Sequence, residues 1–339
     1  MPPRTKKTPS TAGSPKQIAI ACQGGGSHTA FTAGVLQALL RNIDPAQHQI
    51  TALSGTSGGA LCAALAWYGL LQGKPALSAD LLESFWQEMS AQDWPDAVSN
   101  QFLLWLQRSS EYLALPEISP YQLPNTGQEI LTRTIEQHID FTALPGLLKP
   151  SSPRLLVGAV EVLSGEFTVF NSHHTDAEKR IGTAALLASA AIPELFRAVH
   201  IGHGVYWDGL FSENPPIRDF LAGQKPAAAK PDEIWVIQIN PDKRPSEPKS
   251  NADITDRRNE LAGNLSLKQE LFFVKQTNDW LAAGWLKAGH FKPVEVRHIP
   301  LAIDLDYPSK LDRSPAFINR LLAEGRQVGA EHYKRFTQA

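Results

Sequence analysis

Apolar residues first gather at 17–23 (QIAIACQ), a short run that stops at Gly24, Gly25 and Gly26. Phe31, Val35, Leu36 and Leu39 then recur at helical spacing, so the segment predicts a strand, a tight glycine loop and a helix. The pattern repeats from Ile50, where ITALSGTSGG reaches a second set of glycines and enters the apolar run ALCAALAWYGLL. Two parallel strands with their C-terminal loops on one sheet edge follow from this arrangement. Residues 78–150 read as a mainly helical insertion containing Trp86, Trp94 and Trp105, with FLLWLQ and ALPEISPYQLP between them and the next strand. We expect it to pack on the sheet; a mobile cover for the site is the other reading.

Alternating patterns resume at 154–162 and 166–170, a hairpin turning at Leu163, Ser164 and Gly165. The helical run TAALLASAAI stops before Pro193, and VHIGHGVYWDG forms a second hairpin about Gly202 and Gly204. Buried strands are expected at 233–240 and 295–301, separated by a long helical stretch at 254–290, and a terminal helix follows from PAFINRLLAEGRQVGAEHY. The Phe, Trp and Leu stripe of the long stretch should face the core, with membrane contact as the alternative. Strands alternating with helices give a single α/β domain with a mixed sheet.

Composition narrows the function classes. With 339 residues, 42% hydrophobic and 19% charged, the chain can bury a large core, and 32 Lys plus Arg against 34 Asp plus Glu leave no global field to attract nucleic acid. Cys22 and Cys62 sit in apolar runs without a CxxC or Cys/His cluster, so they read as small core residues. Residues 1–16 carry Arg4, Lys6, Lys7 and Lys16, no acid and many Pro, Ser and Thr, the composition of a disordered basic tail. No apolar h-region follows the tail, and no apolar run approaches the ~20 residues of a bilayer span. The expectation is a cytoplasmic protein, at most peripheral to a membrane.

Candidate chemistry centres on Gly55-Thr56-Ser57-Gly58-Gly59, a GxSxG sequence between a predicted strand and a predicted helix. Gly55, Gly58 and Gly59 remove the Cβ atoms that would block a sharp turn, leaving the Ser57 hydroxyl to project over a helix N-terminus. Gly24, Gly25 and Gly26 can aim backbone N–H groups at a developing oxyanion. A dinucleotide fingerprint fails there because Thr29 occupies the third glycine position and Asp44 precedes the next strand. Asp208, with Gly209 after it, ends an apolar strand and is a candidate proton acceptor, although an Asp-Gly pair is also a common turn. Asn214, Pro215 and Pro216 fix the loop beyond it.

Taken in order, AIACQGGGSHTAFTAGVLQAL, SGTSGGALCAA, ASAAIPELF and DGLFSENPPI resemble the patatin-like phospholipase family. The resemblance covers about 17–222 as the catalytic part, with 223–339 as the C-terminal part of the same domain. It implies a three-layer α/β fold with a central mixed, largely parallel sheet flanked by helices. It further implies a Ser-Asp dyad of Ser57 and Asp208, an oxyanion loop at Gly24, Gly25 and Gly26, a lipid or acyl ester substrate, and no cofactor or metal. Two positions depart from the family pattern. Where its glycine loop commonly continues GGGx[RK]G this chain has Ser27, His28 and Thr29, so a basic role rests on His28 or is absent, and Leu210 stands third in the DG[GA] sequence.

Two alternatives stay open at this level. An α/β-hydrolase triad needs a late histidine, for which His290 and His298 are the candidates, with the nearby His203 a weaker one. A non-catalytic, patatin-fold lipid-binding scaffold is the other.

Overall fold

The computed structural model describes residues 14–109, 119–193, 195–222, 226–287 and 289–338. The expected basic tail therefore lies outside the described residues over 1–13, as does 110–118 of the helical insertion. Lys16, assigned to the tail from sequence, instead opens the first strand and pairs with the buried Glu233 at 2.6 Å.

The chain runs β1 (Lys16–Cys22), α1 (Ala30–Asn42), β2 (His48–Gly55), α2 (Gly58–Leu71), α3 (Pro75–Met89), α4 (Trp94–Ser109), α5 (Thr126–His138) and α6 (Leu144–Leu147). It continues β3 (Arg154–Glu161), β4 (Phe167–Asn171), α7 (Thr183–Ser189), β5 (Val199–Ile201), β6 (Gly204–Asp208), α8 (Arg218–Leu221), β7 (Glu233–Gln238), α9 (Asn251–Ala282), β8 (Glu295–Pro300) and α10 (Pro315–Gln338). Both expected hairpins form, β3 with β4 and β5 with β6.

Hydrogen-bonded neighbours in the sheet run β5, β6, β3, β2, β1, β7, β8, with β4 joined to β3. The pairs β1–β2, β1–β7, β2–β3 and β7–β8 are parallel, and those made by β4, β5 and β6 are antiparallel. Helices cover both faces, which is why the central strands β1, β2 and β7 are buried over most of their length. Ile18, Ile20, Trp235 and Ile237 face a core shared with α1, α2, α3, α7 and α10. Ala19, Ala21, Ile234 and Val236 face a smaller one closed by Phe220 of α8 and by Leu267 and Val274 of α9.

The apolar stripe of α9 divides, which corrects the core-facing expectation. Leu267 and Val274 are buried, whereas Leu261, Leu265, Phe272 and, past the helix, Trp285 are exposed. The inward face is partly polar, carrying Glu260, Asn264 and Glu270, because it meets loop backbone as well as the sheet. Trp86 is buried in the insertion, but Trp94 and Trp105 on α4 are exposed. Among the described residues no helix is long and apolar enough to cross a membrane.

Helix α10 returns the chain to its start by packing on α1 through glycine. A Cβ built on Gly34 would strike the Leu322 carbonyl, and one on Gly325 would strike the Phe31 carbonyl and lie 2.9 Å from the Val35 nitrogen. Two helix backbones cannot yield as a flexible side chain can. We expect Gly325→Val to lower the unfolding free energy by about 3 kcal/mol, the upper part of the range for overpacking. Gly146→Ala, whose Cβ meets nothing within 4 Å, should leave stability unchanged or raise it by up to about 1 kcal/mol. Urea unfolding of the two variants beside wild type measures both.

Candidate active site

Strand β3 carries two partners end to end. Its residues 154–157 pair with β2, its residues 159–161 pair with β6, and β4 occupies the opposite edge along 156–160. Because β2 is parallel to β3 and β6 antiparallel, the C-terminal ends of β2 and β6 meet beside Gly158. Gly55 pairs with Val157 and Asp208 with Ala159, so Ser57 and Asp208, 151 positions apart in sequence, arrive at one place.

Between β2 and α2, Ser57 has φ 56° and ψ −134°, the one non-glycine residue with positive φ among those described. Such a conformation costs of order 1–3 kcal/mol and persists only where its surroundings enforce it. The Ser57 N–H donates to Ser189 Oγ at 3.0 Å, and that hydroxyl donates to the Gly158 carbonyl at 2.6 Å. Thr56 Oγ1 donates to the Glu213 carbonyl at 2.6 Å. On the other side, Gly59 N–H and Ala60 N–H reach back to the Thr56 carbonyl at 2.9 and 3.3 Å. The turn is thus tied to β3, to α7 and to the loop after β6.

Asp208 is 1% exposed. Its Oδ1 accepts the Leu210 N–H at 2.8 Å, and the Ser57 hydroxyl hydrogen-bonds its carboxylate. Burial raises its pKa to about 7, against the opposing effects of the Ser57 and Leu210 hydrogen bonds and the charge of Lys310. What Leu210 offers the carboxylate is its backbone N–H, which any residue except proline would supply.

The glycine loop lies against the elbow. A Cβ on Gly24 would sit 2.6 Å from the Thr56 carbonyl oxygen and 2.9 Å from Ser57 Cβ, so only glycine permits the approach. Its N–H donates to Asn214 Oδ1 at 2.7 Å. This removes Gly24 from the expected set of oxyanion donors, since its hydrogen is already engaged. Among the described residues no acceptor takes the N–H of Gly25, of Gly26 or of Gly58, the latter two at the open N-terminal ends of helical turns. Gly26, at φ 56°, begins a 3-10 turn through Thr29, whose hydroxyl donates back to the Gly26 carbonyl at 2.6 Å.

His28 lies within that turn and is buried, its Nε2 2.8 Å from Ser309 Oγ. Burial and the charge of Lys310 lower its pKa to about 3, so it is neutral at physiological pH. Neither Ser57 nor Asp208 hydrogen-bonds a histidine. His203 and His290 are exposed, and His298 on β8 lies 3.3 Å from Gln238 Oε1.

Two residues that organise this region, Ser189 and Gln23, were not singled out from sequence, and Asn214 was read there only as fixing a loop. Ser189 sits inside the ASAAIP stretch but carries no spacing signal of its own. Asn214 holds Gly24 and also donates to the Gly263 carbonyl of α9 at 3.3 Å. Gln23, fully buried, accepts the N–H groups of Ile239 and Asn240 at 2.8 and 2.9 Å and donates to Gly263 and Asn264. The polar face of α9 therefore anchors the ends of β1 and β7.

Among solved structures, VipD from Legionella pneumophila is similar with a TM-score of 0.46 and 15% identity, over 95% of this chain and 67% of that one. The ExoU–SpcU complex from Pseudomonas aeruginosa gives a TM-score of 0.41 and 14% identity, over 96% of this chain and 53% of the matched one. The chain thus spans about half the length of that relative. No curated protein matches it. The sequence model of the patatin-like phospholipases matches residues 20–221, a span that contains the elbow, the glycine loop and Asp208. That span exceeds half of the chain, and the protein belongs to the patatin-like phospholipase family.

Proposed function

We propose that the protein is a serine acyl hydrolase that cleaves carboxylic esters of lipids through Ser57 and Asp208. The observation that carries this reading is a buried carboxyl brought by β3 beside a serine in a strained turn, with no histidine hydrogen-bonded to either among the described residues; burial raises that carboxyl to about 7. A base of that pKa is matched to neutral pH, where an ordinary aspartate at ~3.9 is too weak.

In the first step Ser57 Oγ bonds to the ester carbonyl carbon while its proton passes to Asp208. The carbonyl oxygen takes the negative charge and faces the N–H groups of Gly25, Gly26 and Gly58. Collapse breaks the bond to the leaving alkoxide, which takes the proton from Asp208 and departs as an alcohol. Water then loses a proton to Asp208 and attacks the acyl-serine; the released Ser57 recovers that proton, and a fatty acid leaves. The 17–222 and 223–339 parts act in this reading as one domain, since α9 accepts hydrogen bonds from Gln23 and Asn214 and α10 packs on α1. A lipid surface would meet α4, where Trp94, Val98 and Trp105 are exposed.

Steady-state hydrolysis of p-nitrophenyl butyrate tests the assignment. Ser57→Ala should lose ~10⁴-fold or more in kcat and Asp208→Asn ~10³-fold or more, with His203→Gln and His290→Gln each costing less than about tenfold. A dead histidine variant beside an active Asp208→Asn would replace the dyad by a triad. On its acid limb wild-type kcat/KM should rise with pH through about 7, because the base must be ionised. That limb should survive Glu213→Gln, although burial and the nearby Glu270 also hold the Glu213 carboxyl at about 7.

The same pKa has a stability consequence. Unfolded Asp ionises near ~3.9, while folded Asp208 ionises near about 7. Its contribution is therefore fully present below pH ~4 and is lost as pH rises through 7. Asn at this position has no such loss. Relative to wild type, Asp208→Asn should gain roughly 2–4 kcal/mol in unfolding free energy between pH 4 and pH 8, measured by urea unfolding at both.

On anionic phospholipid vesicles, Trp94→Ser with Trp105→Ser should lower the rate several-fold while leaving p-nitrophenyl butyrate turnover within about twofold. Equal effects on both substrates would remove α4 from the lipid contact.

A further inference from the structure

We propose that Lys310 is an electrostatic positioning residue for the reaction: a cation, supplied from outside the family-matched segment, that draws developing negative charge toward the glycine loop. This rests on the Ser57–Asp208 reading above. Lys310 lies in a 3-10 turn, Pro308–Leu311, that packs on the turn Gly26–Thr29. The contact is close on both strands of chain: a Cβ on Gly26 would strike the Lys310 carbonyl, and Ser309 Oγ is 2.8 Å from His28 Nε2.

Lys310 lines a small cavity of about 20 Å³ together with His28, Asn240, Asp256, Glu260 and Tyr307. Its Nζ donates to Asn240 Oδ1 at 3.0 Å and lies 5.5 Å from the Tyr307 ring centroid. Among the described residues it makes no ion pair with a carboxylate. The facing acids are engaged elsewhere. Glu260 is bound by Arg244 at 2.6 Å and Arg257 at 2.9 Å, and Asp256 accepts the Tyr307 N–H at 2.9 Å. The charge of Lys310 is therefore not neutralised by a direct pair, and it acts on His28 in the loop and on Asp208 as well as on Glu260 and Asp256.

The packing sets the direction. The backbone of Lys310 lies against Gly26, and its ammonium is held by Asn240, next in the chain to the Ile239 side chain that lies over Gly25, whereas among the described residues no hydrogen bond or ion pair joins Lys310 to Asp208. As the reaction proceeds, Asp208 becomes neutral and the substrate oxygen becomes negative, so negative charge moves from the carboxyl toward the loop and toward Lys310. A fixed cation so placed favours the transition state over the ground state. His28 cannot do this, being neutral.

The groups acting on the Lys310 ammonium are Glu260 and Asp256 of α9 and Asp208 of β6, with neutral His28 opposite; burial outweighs them and brings its pKa down to about 8. The cation is then present below pH ~8 and lost above it.

The test uses the full chain and p-nitrophenyl butyrate, with Ser57→Ala as the control for the underlying reading. Lys310→Met should lower kcat about 10- to 100-fold with KM within about threefold, less than the loss of a direct oxyanion donor. Lys310→Arg should keep at least a third of kcat. In wild type kcat should fall above pH ~8, and that alkaline limb should vanish in Lys310→Arg, whose guanidinium stays charged. A purely structural lysine would not move the limb. Ser57-dependent turnover that is unchanged in folded Lys310→Met, or an alkaline limb that persists in Lys310→Arg, overturns the proposal. Turnover that survives Ser57→Ala overturns the reading beneath it as well. If Lys310→Met fails to fold, the Lys310→Arg profile decides alone.

Discussion

The left-handed backbone of Ser57 is the constraint around which the rest of the molecule is organised. A serine at φ 56° stays there only if the chain before and after it has nowhere else to go. Strand β2 delivers it, and α2 begins at once beyond it. Its own N–H is taken by Ser189, which is in turn fixed to Gly158 of β3. Its neighbour Thr56 is bound to the Glu213 carbonyl in the loop that follows Asp208. The same hydrogen bonds that enforce the strain therefore also locate the loop beyond Asp208, and the strained serine and the buried carboxyl are positioned together.

A carboxyl at the meeting of β2 and β6 is destabilising when charged, and the surroundings moderate this without cancelling it. One serine hydroxyl, one backbone N–H and a more distant ammonium oppose the desolvation of Asp208, leaving its pKa near neutrality. A directly paired cation would have held the carboxyl anionic and weakly basic. Lys310 instead hydrogen-bonds the neutral Asn240 amide, with its carbonyl against Gly26. The polar inward face of α9 makes this possible. Glu260 gathers two arginines, Asn264 and Gly263 hold Gln23, and Glu270 accepts the Ile217 N–H at 3.2 Å. Each of those groups is buried and bonded, as a polar interior requires. The apolar residues of α9 that found no place inward are on its outer surface.

Local chemistry was readable directly from the residues. The glycine spacing around Ser57, the three-glycine loop and the two hairpins depend on backbone preferences within a few positions, so their patterns survive without knowledge of the fold. The central strands were legible because burial on both faces leaves a continuous apolar run. Asp208 was different: an Asp-Gly pair is common, and its composition alone left turn and base equally open. What places it beside Ser57 is the sharing of one edge of β3 by β2 and β6, which brings together segments about 150 positions apart.

Other features were decided by tertiary structure alone, since each depends on what a distant segment brings. Gly24 looked like an oxyanion donor until Asn214 was found holding its N–H. His28 occupies the loop position where a basic residue was sought, yet burial and Lys310 keep it neutral. The stripe of α9 gave an apolar period but not a direction, because the helix has to satisfy loop backbone on one side as well as cover a sheet. Sequence determined which local turns the backbone could make and which segments would be buried. Only the folded chain decided which groups lose water together and which hydrogens are already bound, because desolvation and hydrogen bonding are properties of neighbours in space.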